Sequence, residues 1–257
     1  MVTQAIIPLA GLGTRLLPLS SVIPKELLPI NGKPNLEYIM EECIQAGIKQ
    51  FIFVVPKNSK SDIKILKKLK VNYLYKPSFS DIYKFKTKNK IFLHSFSNKL
   101  CGKFRKNHFK GVVNAVNRLA EIIKPKRILL GLKDFQQLRL IEEHVKKNKI
   151  NIKIVRCKTI RDKNFIAYSS RLERLKKNEK KILNKVIKFL KIYKKNLILK
   201  KNKHNFLIIK NKLLSFGVKK VDYVEIIDLK TLKKPKKNKF NLFFAFNIGK
   251  IRFIDNF

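Results

Sequence analysis

Apolar positions along the chain alternate between short continuous runs and faces with helical spacing. Gln4–Leu9 is a short apolar run ending in a glycine-containing loop at Ala10–Arg15. Leu36, Ile39, Met40, Cys43 and Ile44 then recur at helical spacing, with Gly47 just past them where a left-handed cap would sit. Phe51–Val55 is a second buried-strand run, so the opening predicts a strand–loop–helix–strand unit. Ser61–Lys70 reads as a helix with Ile63, Leu66 and Leu69 on its apolar face, followed by strands at Val71–Tyr75 and Ile91–Ser95. Val112, Val113, Val116, Leu119, Ala120 and Ile123 form one helix face, stopped by Pro125. Arg127–Leu130 predicts a strand leading into Gly131, and Phe135–Val145 a helix. Ile150, Ile152 and Ile154 alternate with polar residues, the period of a strand.

Strands alternating with helices predict an α/β fold, a Rossmann-like parallel sheet with helices on both faces. Past Arg171 the pattern changes. A lysine-rich amphipathic helix over Lys176–Lys195 carries Ile182, Val186, Phe189 and Leu190, and strand-like runs follow at Val221–Ile227 and Phe243–Ile254. Asn247-Ile248-Gly249 is a candidate hairpin turn. The division expected is a nucleotide-binding domain over residues 1–168 and a smaller C-terminal α+β domain over 169–257. No repeats and no flexible Gly/Ser linker interrupt it.

Composition narrows the class. The chain has 257 residues with 45% hydrophobic residues, enough apolar surface to exclude a disordered polyelectrolyte. No apolar run approaches the roughly 20 residues of a membrane span, and the start lacks the pattern of an export signal. Cys43, Cys101 and Cys157 are odd in number and widely spaced, which argues against a disulfide framework or a cysteine zinc site. A soluble protein of the cytoplasm, without a membrane partner, is the expectation. The charge is extreme: 60 Lys+Arg against 17 Asp+Glu give +43. Only ten of the 60 cations are Arg, whereas base-reading sites favour its planar fork. The lysines are scattered beside Asn, Ile and Phe, all encoded by A/T-rich codons, so codon bias suffices and no specific nucleic-acid partner is implied. Dense runs such as Lys233-Lys234-Pro235-Lys236-Lys237 read as solvated loops.

The loop after the first strand reads Gly11-Leu12-Gly13-Thr14-Arg15, then Ile23-Pro24-Lys25-Glu26-Leu27-Leu28-Pro29. Backbone N–H groups between a strand and a helix can approach phosphate oxygens, and Arg15 and Lys25 could neutralise them. A bare Gly-x-Gly is usually only a tight turn, but the longer string is more specific. Residues 5–55, through Ala10–Arg15, Pro24-Lys25-Glu26, Lys33-Pro34 and Glu37–Gly47, resemble the opening of the sugar-nucleotide pyrophosphorylases. The resemblance implies a triphosphate-holding loop at Gly11, Gly13, Thr14, Arg15 and Lys25. It stops near Val55.

A second set of motifs occurs in order downstream. They are Leu100-Cys101-Gly102, Arg105–Val112 with His108, Gly131-Leu132-Lys133-Asp134-Phe135-Gln136-Gln137 and Ser169-Ser170-Arg171. The tail adds Val221-Asp222-Tyr223-Val224-Glu225 and Ile251-Arg252-Phe253-Ile254-Asp255-Asn256. From about residue 60 onward the chain resembles the pantothenate synthetase (pantoate–β-alanine ligase) family. The resemblance implies an ATP-dependent ligase joining pantoate to β-alanine through a pantoyl-adenylate, with Mg²⁺ bridging phosphates and subunits paired as homodimers. It places ATP against Gly131, Leu132, Lys133, Asp134, Tyr168, Ser169, Ser170 and Arg171, with the Ile160 backbone near the adenine. Gln137 would bind pantoate, and Arg105 and His108 would line the same cleft.

The chemistry suits these residue types. A carboxylate must be activated before an amine can attack it, and joining it to AMP crowds negative oxygens together. Lys133, at the carboxyl end of a strand, and Arg171, beside two hydroxyls, are suitable cations. Bland readings stand beside these: His108 alone could be a satisfied core histidine, Lys133 a solvated charge, and Ser169-Ser170 a helix cap. The family also carries a His-x-Gly-His stretch near its N-terminus, yet the earliest histidine here is His94. Val55-Pro56-Lys57-Asn58 stands where a substrate-binding glutamine is expected. Since both families begin strand, phosphate-facing loop, helix, strand, the opening segment reads as a replacement for the ligase's first βαβ unit. Nucleotidyl transfer from UTP to glucose-1-phosphate, or an inactive remnant with a basic surface, are the competing readings.

Overall fold

The computed structural model describes residues 3–9, 29–30, 32–55, 73–169, 171–199, 204–236 and 239–257. The loop bearing Gly11, Gly13, Thr14, Arg15 and Lys25, the helix expected over 61–70, and Ser170 lie outside the described residues. The chain divides into two compact units, residues 1–86 and 87–257.

In the first unit, β1 (Gln4–Pro8) pairs in parallel with β4 (Gln50–Val54), Ala5 opposite Phe51 and Ile7 opposite Phe53. Strand β4 in turn pairs in parallel with β5 (Tyr73–Tyr75), so β4 is central. A two-residue ladder of β2 (Pro29–Ile30) and β3 (Lys33–Pro34) precedes α1 (Asn35–Gln45). Leu36 and Met40 of that helix, with Phe51, Phe53, Val55 and Leu9, form the core of the unit. Gly47, at φ +83°, takes the left-handed conformation expected past the helix end. A short helix α2 (Phe79–Tyr83) follows, held by a reciprocal capping box of Ser78 and Asp81.

The second unit begins with single turns of 3₁₀ helix at Ser95–Asn98 and Leu100–Phe104. Helix α3 (His108–Ile123), β6 (Arg127–Gly131), α4 (Phe135–Lys147) and β7 (Lys153–Cys157) come next, with β6 and β7 paired in parallel. Helices α5 (Lys177–Ile198) and α6 (Phe206–Ser215) precede an antiparallel sheet of β8 (Lys220–Ile227), β9 (Asn241–Ile248) and β10 (Ile251–Asn256). Strand β9 is central, and Gly249 at φ +54° makes the β9–β10 turn.

Alternation along β9 decides the packing. Leu242, Phe244, Phe246 and Ile248 enter one cluster with α5 residues Leu183, Val186, Ile187 and Leu190 and α6 residues Ile209 and Leu213. Phe243 and Ala245 enter the other, with Phe96, Phe109, Val113, Phe135 and Ile141. The antiparallel sheet is therefore buried on both faces by elements from either side of residue 169. Gly102 sits so close to the preceding 3₁₀ turn that an added Cβ would lie 1.6 Å from the Ser97 carbonyl oxygen.

Two sequence expectations need correction. Ile91–Ser95 is not a strand: the Phe92 and Phe96 N–H groups donate to the Nδ1 atoms of His144 and His94, at 3.2 and 3.0 Å, instead of to a ladder. The strand placed around Ile150–Ile154 begins three residues later, since the Ile150 N–H closes the end of α4 on the Val145 carbonyl at 3.0 Å.

His144 is buried between α4 and α3. Its Nδ1 accepts the Phe92 N–H, which puts the ring proton on Nε2, 2.9 Å from the acceptor Asn117 Oδ1. The Asn117 amide donates onward to Glu121 Oε1 at 2.9 Å. Burial pushes the His144 pKa below its ordinary 6.5, against smaller opposing contributions from the Phe92 N–H and Glu121. With the folded pKa below the unfolded one, the unfolded state binds more protons, so stability is full above about pH 6.5 and is lost as pH falls. Urea unfolding at pH 8 and pH 5 should show that loss, and His144→Gln should make it smaller. An unchanged pH dependence in the variant would exclude His144 as its source.

Candidate active site

Gly131 ends β6 and a single 3₁₀ turn, Leu132–Asp134, leads into α4. The turn leaves Lys133 half-buried, its ammonium 3.5 Å from the Tyr168 carbonyl oxygen. Burial pushes the Lys133 pKa below the usual lysine value; Asp134 and Asp255 oppose that shift, while Arg171 and Arg161 add to it. The positive charge of Arg171 thus reaches Lys133. The crowding of like charges on a partly dry ammonium favours an anion there.

Opposite the turn is a tight hairpin. Arg161 and Ala167 face each other in an antiparallel bridge, and the Tyr168 N–H donates to the Ile160 carbonyl at 3.1 Å. Ile160 and Tyr168 stand 69% and 61% exposed at its mouth, large apolar surfaces open to solvent. Ser169 Oγ accepts the Arg171 N–H at 3.2 Å, and the Arg171 guanidinium donates to the Arg252 carbonyl of β10 at 2.5 Å. The hydroxyl of Ser169 therefore braces the backbone, close to its bland reading, while its neighbour Arg171 is held at the cluster.

Other expected residues sit on separate elements. Gln137 is half-buried in the first turn of α4 and its side chain makes no hydrogen bond among the described residues, whereas Gln136 is buried and structural. The Gln136 amide donates to the carbonyls of Phe96 and Lys99 at 2.8 and 2.6 Å, and accepts the Cys101 N–H at 3.1 Å. Arg105 is exposed just after the second 3₁₀ turn, and His108 opens α3 with its ring 5.0 Å from that of Phe109.

The sequence reading assigned no role to three residues that organise the cluster: Arg161, Asp255 and Asn256. Arg161 forks onto Asp255 at 2.6 and 3.0 Å, and Asn256 donates to the carbonyls of Leu132 and Lys133 at 2.9 and 3.0 Å. The signal for Asp255 and Asn256 was present in the tail motif Ile251–Asn256, though without a chemical reason to read it; Arg161 lay in no motif. Nearby, buried Cys101 lies 3.1 Å from the Tyr223 hydroxyl, and Arg252 binds Asp222 at 2.6 Å. Burial holds the Tyr223 hydroxyl protonated well above the ordinary phenol range, as befits a structural contact.

The pantoate-beta-alanine ligase family model matches residues 45–257, most of the chain. The chain belongs to this family. The match begins earlier than the residue near 60 that the motifs suggested, and it leaves residues 1–44 outside. Pantothenate synthetase of Endomicrobium trichonymphae is 36% identical over 230 residues, covering 88% of this chain and 81% of that protein. The Clostridium botulinum (strain ATCC 19397 / Type A) enzyme is 34% identical over 223 residues, covering 83% and 78%. Among solved structures, pantoate-beta-alanine ligase from Francisella tularensis, complexed with beta-gamma ATP and beta-alanine, matches at 27% identity with a TM-score of 0.63, covering 100% of this chain and 89% of that one. Pantothenate synthetase from Thermus thermophilus, 18% identical with a TM-score of 0.68 over 99% and 92%, shows the same fold. A UDP-glucose pyrophosphorylase structure aligns with a TM-score of only 0.24, which carries no argument; the pyrophosphorylase likeness of residues 5–55 rests on sequence. Among the described residues no helix is long and apolar enough to cross a membrane.

Proposed function

We propose that the chain condenses pantoate with β-alanine in two steps driven by one ATP, which is consumed in the first. A pantoate carboxylate oxygen attacks the α-phosphorus of ATP, the O–P bond forms, and the bond to the bridging oxygen breaks as pyrophosphate leaves. The β-alanine amine then attacks the acyl carbon of the pantoyl-adenylate, loses a proton, and expels AMP. The observation that supports this most directly is the half-buried Lys133 ammonium, 3.5 Å from the Tyr168 carbonyl at the end of β6, the end of a parallel strand where α/β folds bind ligands. In this reading Lys133 and Arg171 stabilise the charge developing on the phosphoryl oxygens. Gly131, Leu132 and Asp134 border the nucleotide from one side, and Tyr168, Ser169, Ser170 and the Ile160 backbone from the other. Gln137, with an unengaged amide, hydrogen-bonds pantoate, and Arg105 and His108 complete the cleft. In this reading Mg²⁺ would be carried by the triphosphate and supply charge neutralisation there.

The missing His-x-Gly-His stretch removes neutral-pH proton donors, and loss of one transition-state donor costs about a hundred- to a thousandfold in rate. Slow turnover is therefore the expected behaviour. Purified protein given Mg·ATP, pantoate and β-alanine should release AMP and pyrophosphate in equal amounts, with pyrophosphate release dependent on pantoate. Release of ADP, or nucleotide hydrolysis indifferent to pantoate, would refute the assignment. Rescue of a pantothenate-requiring strain measures whether the residual rate suffices for growth.

A further inference from the structure

Strand β10 contacts Arg171, Arg161 and the turn that carries Lys133. Its Arg252 carbonyl receives the Arg171 guanidinium. The Asp255 carboxylate takes both prongs of Arg161, and the same two terminal nitrogens also donate to the carbonyls of Phe165 and Asn256 at 3.1 and 2.9 Å. These bonds are all internal, so Arg161 braces the Ile160–Tyr168 hairpin against β10. Asn256 is only 6% exposed. Its amide nitrogen bonds the two consecutive carbonyls of Leu132 and Lys133, and its amide oxygen accepts from Asn241 at 3.1 Å. Those carbonyls lie where the chain passes from strand to helix, beyond the β6–β7 ladder and in a 3₁₀ turn too short to satisfy them. A buried side-chain amide fills that gap and fixes the peptide that carries Lys133.

We propose that Asn256, supported by Asp255 through Arg161, is a positioning residue for the turn Gly131–Asp134. It holds the Lys133 backbone at the height where the ammonium meets the Tyr168 carbonyl and the charge of Arg171. The functional part of this inference rests on the ligase reading; the positioning part does not. Asn256→Ala removes the amide from the turn, while Asn241→Ala removes a comparable bond at the other end of the same amide and leaves the turn untouched.

Two measurements on the full chain separate the cases: Mg·ATP affinity by calorimetry, and the rate at which acetic anhydride modifies Lys133, read by peptide mass spectrometry. Asn256→Ala is expected to weaken ATP binding about tenfold and to change Lys133 acetylation severalfold, the scale of losing two partly buried hydrogen bonds. Asn241→Ala is expected to stay within about twofold of the parent in both, whatever it does to the melting temperature. Asn256→Ser, which retains one donor, should fall between and serves if the alanine variant does not fold. If Asn241→Ala matched Asn256→Ala in both readouts, or if neither readout moved in the Asn256 variants, the positioning role would be overturned. A parent chain that binds no ATP would instead refute the ligase reading, and the acetylation rates would still decide the placement of Lys133.

Discussion

Lys133→Ala is expected to lower pantoate-dependent pyrophosphate release by about a hundred- to a thousandfold. The ammonium is half-buried among Arg171, Arg161, Asp134 and Asp255, so it acts in a medium that strengthens its attraction for phosphoryl oxygens. Alanine leaves the developing negative charge without that donor. The fold should survive, because the side chain makes one long hydrogen bond to the Tyr168 carbonyl and packs no core. Lys133→Arg should recover only part of the rate: the charge returns, but a planar fork replaces a compact point charge. The pH profile adds an independent check. Because burial pushes the Lys133 pKa below 10.5, the charged form is lost as pH rises through the lowered value, and nucleotide affinity should decline at a less alkaline pH than an ordinary lysine would give. Unchanged turnover in the alanine variant would remove Lys133 from the site.

Phe246→Ala is expected to destabilise the second unit by about 3–5 kcal/mol, the usual cost of deleting a fully enclosed phenyl ring. Phe246 is 0% exposed on the central strand of the antiparallel sheet. Its ring lies 5.8 Å from Phe244 and 6.0 Å from Phe253, and α5 and α6 cover that face. The α5 and α6 backbones leave little room for collapse, so the cavity should persist. Chemical denaturation should show a lower midpoint. As a contrast, Phe79, 74% exposed on α2, should change stability by less than about 0.5 kcal/mol when replaced by alanine. Equal effects at the two positions would mean that the β9 alternation has been misassigned.

Where periodicity was strong, the sequence disclosed the elements. The apolar face from Val112 to Ile123 became α3, and Asn247-Ile248-Gly249 became the end of β9 and its turn. Helix α6 was not legible, because Phe206-Leu207-Ile208-Ile209 is a continuous apolar run while only Ile209 and Leu213 are buried. The usable signal was Asn205, whose side chain caps the Leu207 and Ile208 N–H groups. The double burial of β9 was equally hidden, since alternation of two apolar sets looks like an unpatterned run. At the site, motif order pointed to Lys133 and Arg171, but the Asp255–Arg161 pair and the Asn256 amide are separated from their partners by 94 and 124 residues, beyond any local spacing rule.

A sheet flanked by cores on both sides also sets an order of events during synthesis. Phe96, Phe109, Val113 and Phe135 emerge from the ribosome long before Phe243 and Ala245, which complete their packing. Until β9 and β10 clear the exit tunnel, that early apolar surface stays solvated, and the loop-closure entropy of the long intervening segment goes uncompensated. Release of stalled nascent chains ending before residue 240 should therefore yield protease-sensitive, chaperone-bound products, and a nonsense mutation upstream of β9 should be as damaging as a far earlier one.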